Sequence, residues 1–130
     1  MPYHVYVIAL KSEFGTTAKA RRANPGFLPG RRCYYVGYTS RTPGRRYIQH
    51  MAGGQSQKGH NLASKVVHKF GVFPQGLRPE IFEVYNPIRT KAEAEKVEKW
   101  LAEKLRKEGH CVWQNRSEEH TSELQSRTKI

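Results

Sequence analysis

Residues 90–109 read TKAEAEKVEKWLAEKLRKEG, the longest regular stretch of this chain. At about 100° per residue, the spacing of its apolar residues predicts a helix of roughly five turns with one apolar face. That face is formed by Ala94, Val97, Leu101 and Leu105. Glu98 falls inside it, where an ionised carboxylate is costly unless a cation or hydrogen-bond donors meet it. Glu98 therefore either leans out of the face or pairs with an arginine, or it is a metal ligand in a cleft.

The composition is that of one small domain with a modest core. The chain has 130 residues, 37% of them hydrophobic, which is neither a disordered nor a membrane composition. No apolar run approaches the roughly 20 residues of a membrane span, and the N-terminus lacks the features of a signal peptide. Cys33 and Cys111 show no C-x-x-C spacing and are interpreted as small buried hydrophobes in a reducing compartment. We expect a cytoplasmic protein with no membrane partner.

The charge is strongly positive and unevenly distributed along the chain. The formal net charge is +12, and the isoelectric point is about 10.0. All 11 acidic residues are glutamates, and only Glu13, Glu80 and Glu83 precede residue 90. A cationic half of this kind suits a polyphosphate, so the expected partner is a nucleic acid, with DNA favoured. There are two alternatives to a DNA partner: the charge serves solubility alone, or it makes a ribosome-type contact with RNA.

The last fifteen residues differ in character from the rest. Residues 116–126 read RSEEHTSELQS and look like one translated reading frame of a DNA sequencing adapter. The segment shows no apolar periodicity that would predict packing. We therefore expect a functional domain over residues 1–115 and a non-native tail over residues 116–130.

The order of elements predicts an α+β fold. Strands are expected at His4–Leu10 and Arg32–Tyr38, with residues 11–31 between them as a long basic loop that contains a helical turn near Thr17–Ala23. Capping residues and prolines predict three helices, at Pro43–Met51, Asn61–Phe70 and Thr90–Gly109. Alternating hydrophobicity predicts a third strand at Pro79–Tyr85, and Cys111–Trp113 is expected to form a short extended end. The order β-β-α-α-β-α gives a small sheet with helices packed against it.

The first short helix places two functional side chains on one face. Arg46 and His50 are four residues apart, and Arg41 and Arg45 add positive charge beside them. The guanidinium of Arg46 suits the charge that builds on a reacting phosphate, and His50 suits a phosphate contact or proton transfer. The alternative is a set of solvated cations on an exposed helix.

The second strand carries adjacent tyrosines. Alternation predicts that Tyr34 and Tyr35 lie on opposite faces of the sheet, so that one belongs to the core and the other faces a site. Gly37 interrupts this bulky strand and indicates close approach of backbone or substrate.

Taken in order, these features resemble the GIY-YIG endonuclease domain over about residues 3–115. The matching residues are His4-Val5-Tyr6, Tyr35-Val36-Gly37, Arg46, His50, Glu98 and the late Asn115. The resemblance implies a three-stranded antiparallel sheet flanked by helices. The first tripeptide lacks the glycine and isoleucine of the family, and residues 11–31 replace the tight turn that usually joins the first two strands.

The resemblance also implies a reaction, the hydrolysis of a phosphodiester bond. Tyr6 and Tyr35 match the motif tyrosines, one of which would help to deprotonate the attacking water. Arg46 matches the arginine that stabilises the transition state, and Glu98 matches the ligand of a single divalent ion. One carboxylate with water and phosphate oxygens is a normal environment for Mg²⁺, and Mn²⁺ is the other expected ion.

Other cations extend the expected substrate surface. The loop 11–31 is interpreted as a DNA-gripping arm or as a solvated loop. Lys58 and Lys65, with their basic neighbours, would enlarge the face that carries Arg41 and Arg45. A metal-dependent DNA endonuclease is thus the first expectation, a non-catalytic DNA- or RNA-binding module on the same fold is the second, and an unrelated small basic protein is the third.

Overall fold

The computed structural model describes residues 2–53 and 64–114 of the chain. The strands are β1 His4–Leu10, β2 Cys33–Thr39 and β3 Cys111–Gln114. The helices are α1 Ala18–Ala23, α2 Pro43–Ala52, α3 Lys65–Phe70, α4 Pro79–Phe82 and α5 Lys91–Lys107, with 3₁₀ turns at Ser12–Thr16 and Glu83–Tyr85. The α+β class is confirmed.

The sheet has three strands in the order β1-β2-β3 and is mixed. β1 and β2 are antiparallel, as expected, whereas β2 and β3 are parallel. The expectation of a purely antiparallel sheet is therefore wrong. Parallel neighbours require a long crossover, and here helices α2 to α5 provide it between β2 and β3.

The predicted third strand at Pro79–Tyr85 is also wrong, because this segment is helical. Pro79 occupies the first helical position, where its fixed φ fits and its missing N–H costs no hydrogen bond. The amide of Ile81 then donates to the carbonyl of Arg78 at 2.9 Å and closes the turn. The third strand is instead the short segment after α5, for which the sequence predicted only an extended end.

The helix predictions near the site are confirmed, with small shifts of boundary. Thr42 caps α2 through the amide of Arg45 at 3.3 Å, and Gly53 follows the helix with φ of 72°. Thr90 caps α5 through the amide of Glu93 at 3.1 Å. Ser64 has extended backbone and caps α3, so this helix begins at Lys65 and not at the predicted Asn61; residues 61–63 lie outside the described residues.

Both outer edges of the sheet are covered by asparagine side chains. Asn86 accepts from the amide of Val5 at 2.9 Å and donates to its carbonyl at 2.8 Å, on β1. On β3, Asn24 accepts from the amide of Val112 at 2.9 Å and donates to the carbonyl of Val112 at 3.0 Å. Each amide thus replaces a neighbouring strand, which keeps unpaired backbone groups away from other chains.

Residues 11–31, predicted as a long basic loop, form a folded layer with helical segments Ser12–Thr16 and Ala18–Ala23, and so they are not a simple solvated loop. The 3₁₀ turn buries Phe14 against the ring of Trp113, with ring centroids 5.8 Å apart. Asn24 follows α1 and is held by Arg106 of α5, whose Nε donates to Oδ1 at 3.0 Å. The amide of Leu28 donates to the carbonyl of Gly109 at 2.9 Å. The predicted helical turn is α1, and this layer packs against β3.

Candidate functional site

Two tyrosines and a histidine meet on one face of the sheet. Tyr6 is paired with Gly37, and Ile8 with Tyr35, so the side chains of Tyr6 and Tyr35 point the same way from neighbouring strands. Their ring centroids lie 6.1 Å apart, and the ring of His50 from α2 lies 5.3 Å from Tyr35. Tyr34 points to the opposite face, where its ring packs on His110. The alternation predicted for the tyrosine pair is confirmed.

Gly37 is required by the phenol of Tyr6. A Cβ at position 37 would stand 2.6 Å from the Tyr6 Oη and 2.8 Å from its Cζ, closer than any real side chain tolerates. The close approach predicted from the sequence is therefore an approach of another side chain. Gly37 gives the Tyr6 phenol the space to lie flat over β2, next to Tyr35.

His50 is held in one tautomer by the backbone. The amide of Ser64 donates to its Nδ1 at 2.8 Å, and its Nε2 lies 2.8 Å from the Tyr6 Oη. In neutral imidazole only one nitrogen carries a hydrogen, and an Nδ1 that accepts cannot be that nitrogen. Nε2 therefore carries the hydrogen and donates it to the phenol oxygen. Both ring nitrogens of His50 are thus engaged within the fold.

Arg46 and Glu98 complete the surroundings of Tyr6. Burial raises the pKa of Tyr6 above its ordinary value, and the negative charge of Glu98 raises it further. The charge of Arg46 and hydrogen bonds from Arg46 and Tyr35 to the phenol lower that pKa. The raising effects prevail, so Tyr6 is protonated at neutral pH. These five side chains, Tyr6, Tyr35, Arg46, His50 and Glu98, are called the Tyr6 cluster below.

Burial also decides the charge of His50. Removal from water, with a smaller contribution from the nearby Arg46 cation, lowers the pKa of His50 to about 3. The imidazole is therefore neutral over the physiological range. This agrees with the hydrogen-bond pattern, in which Nδ1 accepts and Nε2 donates.

Glu98 is confirmed as a core-facing residue of α5. Its side chain is completely buried, together with Ala94, Leu101 and Leu105 of the predicted apolar face. The interpretation in which it leans outward is wrong. Glu95, one turn earlier, lies at the half-buried border and accepts a hydrogen bond from the Tyr38 Oη at 3.0 Å.

Arg46 is the member of the Tyr6 cluster that reaches the surface. Tyr6, Tyr35, His50 and Glu98 are at most 1% exposed, whereas Arg46 is half-buried. Its Nη1 donates to the Oε1 of Gln49 on the next turn of α2. An open hollow of about 400 Å³ adjoins this turn and is lined by Arg41, Arg45, Ile48 and Gln49. The hollow thus places two exposed cations, Arg41 and Arg45, beside Gln49, the hydrogen-bond partner of Arg46.

The remaining predicted substrate residues are more distant or outside the described part. Lys65 is exposed at the start of α3, on the element whose cap, Ser64, holds His50. Lys58 and Asn115 lie outside the described residues. The structure thus brings together the five predicted catalytic residues, with Arg41 and Arg45 in the lining of the adjoining hollow.

Two contributors were missed in the sequence. Ser64 positions His50 through its backbone amide and caps α3 through its hydroxyl, which accepts from Val67 at 3.3 Å. A serine three residues before an apolar position, as Ser64 is before Val67, is a signal for the start of a helix. The start predicted for this helix was instead Asn61. Gln49 accepts from Arg46, and its spacing of three residues was the available signal.

Glu98 is the one carboxylate of the Tyr6 cluster, so a divalent cation held there would take its other ligands from outside that cluster. Within residues 2–53 and 64–114, no three His, Cys, Asp or Glu side chains stand close enough to share a metal ion. A lone carboxylate leaves most coordination positions of Mg²⁺ to water and phosphate oxygens, which that ion prefers.

In the part of the chain that the structure describes, no helix has the length and apolar character needed to cross a membrane.

Comparisons of this chain with protein-family models, with curated proteins and with solved structures find no match.

Proposed function

We propose that this chain is a metal-dependent endonuclease that hydrolyses phosphodiester bonds of DNA. The observation that carries the proposal is the set of contacts at the Tyr6 phenol, where His50, Arg46 and Tyr35 converge beside the charge of Glu98. These residues come from β1, β2, α2 and α5, and the resemblance to the GIY-YIG endonuclease domain names the same set. A purely structural core has little use for a glutamate and an arginine around one phenol.

In this proposal Arg46 contacts the substrate first. Its half-buried guanidinium offers a planar fork of N–H donors that matches phosphate oxygens, and Arg41 and Arg45 hold the flanking phosphates. As negative charge builds on the reacting phosphorus centre, a fixed guanidinium stabilises it without reorganisation.

Tyr6 orients the attacking water, and His50 positions Tyr6. The charge and the hydrogen bond of Arg46 oppose the effect of burial on the pKa of Tyr6. The Nε2 of His50 lies 2.8 Å from the same phenol oxygen and donates to it. His50 itself has a pKa of about 3 and already carries its hydrogen on Nε2, so it takes no proton from Tyr6. Its role is to hold the phenol in place and to lower the cost of charge on it.

Glu98 would hold a single Mg²⁺ or Mn²⁺ ion. Such an ion, when bound, supplies Lewis-acid stabilisation of the leaving oxygen and a lower pKa for bound water. The buried carboxylate provides the one anionic ligand such a site needs, and the phosphate of the substrate provides others.

The second candidate function is a nucleic-acid-binding module that cleaves nothing. The observation in its favour is that four of the five cluster residues have almost no exposed surface. Arg46 is the one member of the cluster that reaches the surface, and a buried polar cluster also serves to fix a core. In this alternative the basic surface binds DNA or structured RNA, and the Tyr6 cluster is structural.

A nicking assay on supercoiled plasmid separates these functions. We expect the wild-type chain to nick DNA with Mg²⁺ or Mn²⁺ and not with EDTA. Glu98→Gln keeps the shape of the side chain and removes its charge, and it should lower the rate by about 10²–10³. Binding to the same DNA in EDTA should stay within about twofold, since the carboxylate contributes no phosphate contact.

Glu103→Gln is the matched control, because Glu103 is an exposed glutamate on the same helix. It should nick at the wild-type rate. If the wild-type chain leaves supercoiled DNA intact with both ions while it still shifts that DNA on a gel, the binding module is the correct function.

A further inference from the structure

A second cationic site lies at the far end of the β1–β2 hairpin. An open cleft of about 700 Å³ is bounded by the last residues of β1, the first residues of β2 and the layer 11–31. Its volume falls within the roughly 300–1,000 Å³ of ligand sites. Four arginines line it: Arg21, Arg31, Arg32 and Arg78. This feature is called the arginine cleft.

The arginine cleft is separate from the Tyr6 cluster. Leu10, which lines the cleft, is four residues beyond Tyr6, or about 13 Å along an extended strand. Tyr34 also lines the cleft, and its side chain leaves the sheet on the face opposite Tyr35. The two sites therefore share a hairpin but not their side chains.

The charged side chains that line the cleft, within the described part of the chain, are all arginines. No glutamate lines it, and the salt bridges found in residues 2–53 and 64–114 are those of Glu108 with Lys104 and His110. Four guanidinium groups around one cleft repel one another in the absence of an anion. The layer 11–31 and Arg78 thus concentrate positive charge in the cleft, and Glu80 and Glu108, whose charges reach Tyr34, lie outside its lining.

Effects on neighbouring groups show that these cations converge. Burial raises the pKa of Tyr34, and the charges of Arg32 and Arg78 oppose this rise more than those of Glu80 and Glu108 add to it. Burial lowers the pKa of His110, and Arg31 and Arg32 lower it further against Glu108. Arg31, Arg32 and Arg78 therefore act on the same small region beside Tyr34.

The arginines are carried by a well-anchored frame. The amide of Arg78 donates to the carbonyl of Val7 at 3.0 Å, and its Nη1 donates to the carbonyl of Gln75 at 2.6 Å. On the other wall, Gly15 packs so closely that a Cβ there would stand 2.7 Å from the ring of Phe27. The guanidinium of Arg78 is thereby held in position, and the backbone that carries the other arginines is anchored, which lowers the entropic cost of binding an anion.

We propose that the arginine cleft binds backbone phosphates of a nucleic acid as a second contact site, separate from the Tyr6 cluster. Guanidinium forks match phosphate oxygens in pairs, and the Tyr34 phenol adds a neutral donor. A polynucleotide, unlike a single phosphate ester, neutralises both the cleft and the cations of α2 and α3 in a chain of net charge +12. The proposal concerns binding alone and stands whether or not the Tyr6 cluster cleaves.

The test is a salt titration of binding in EDTA, with a labelled duplex of about 20 base pairs and fluorescence anisotropy as readout. The cleft variant is Arg31→Gln/Arg32→Gln. The control is Arg22→Gln/Arg89→Gln, which removes the same charge from exposed arginines that do not line the cleft. Each lost phosphate contact reduces the magnitude of the slope of log K against log salt concentration by about 0.9. For the cleft variant we expect the magnitude of this slope to fall by about two and the affinity to be at least tenfold weaker. For the control we expect the slope to change by less than about 0.5.

Equal losses in the two variants would overturn the proposal, because net charge alone would then explain binding. Competition with a mononucleotide and with inorganic phosphate identifies the source of the phosphate. We expect neither to displace the duplex below millimolar concentration, and displacement at micromolar concentration would also overturn the proposal. Circular dichroism of both variants checks that the fold is retained. Glu98→Gln should bind like wild type, so a failure to cleave and a failure of the cleft are distinguishable.

Discussion

The Tyr6 cluster and the arginine cleft share the β1–β2 hairpin, but their charges are arranged in different ways. In the Tyr6 cluster one cation and one anion are built around a phenol, and four of the five side chains are buried. In the arginine cleft the cations are mostly exposed and no carboxylate of the described residues lines it. Buried, balanced charge suits a reaction centre, whereas exposed, unbalanced charge suits phosphate binding.

The largest difference should come from replacing arginine with lysine in each region. Arg46→Lys keeps the charge and loses the planar fork, and we expect the nicking rate to fall by about 100-fold. Arg31→Lys in the cleft keeps the charge and removes one of four guanidinium forks, so DNA affinity should change by less than about threefold. Initial nicking rates and dissociation constants measure the two effects. An Arg46→Lys protein with the wild-type rate would show that the fork takes no part in the reaction.

Acid should weaken the region around His50 before it affects the cleft. The folded-state pKa of His50 is about 3 against an ordinary value of 6.5, so unfolding takes up a proton. Stability from this group is complete above pH 6.5 and decreases as the pH falls toward 3. The free energy of unfolding should fall by roughly 2–3 kcal/mol between pH 6 and pH 4 from this group.

Urea unfolding of His50→Gln at several pH values isolates that contribution. The variant should be less stable at pH 7 and should lack the His50 part of the pH dependence. His68→Gln, at an exposed position of α3, is the control and should keep it. A pH dependence unchanged in His50→Gln would contradict a buried neutral imidazole.

Gly37→Ala tests the geometry of the Tyr6 cluster alone. The new Cβ would stand 2.6 Å from the Tyr6 Oη, so the phenol must move. We expect a stability loss of roughly 1–3 kcal/mol, loss of nicking, and an unchanged salt slope for DNA binding. Gly44→Ala is the control, because no atom lies within 4 Å of a Cβ there and alanine suits a helix. A fully active Gly37→Ala protein would separate the Tyr6 phenol from catalysis.

The smallest effects should come from the two edge asparagines, which hold the two regions separately. Asn86→Ala removes the hydrogen-bond partner of both backbone groups of Val5, next to Tyr6. Asn24→Ala removes the partner of both backbone groups of Val112 and of the Arg106 Nε. Each should cost about 1–2 kcal/mol, because solvent replaces part of the lost bonding. Nicking should suffer more in Asn86→Ala and the salt slope more in Asn24→Ala. The reverse pattern would show that the regions are not independent.

Local signals in the sequence were sufficient for much of this fold. The bounds of β1, the caps of α2 and α5 and the position of Glu98 on the apolar face of α5 follow from apolar periodicity and from residues such as Thr42 and Thr90. The alternation of Tyr34 and Tyr35 followed from the period of a strand. The third strand was misplaced because Pro79–Tyr85 alternates in hydrophobicity, and tertiary pairing of β2 with a four-residue segment outweighed that local pattern.

By itself, the sequence determined the residue types of the Tyr6 cluster, the positive charge of the first ninety residues and the helix that carries Glu98, because spacing and composition are local properties. Only the tertiary structure decided that β3 runs parallel to β2, that residues 11–31 fold onto the sheet edge, and that Ser64 fixes the tautomer of His50. It also decided that four arginines share one cleft. Those outcomes depend on contacts between residues far apart in the chain, whose energies no window of sequence contains.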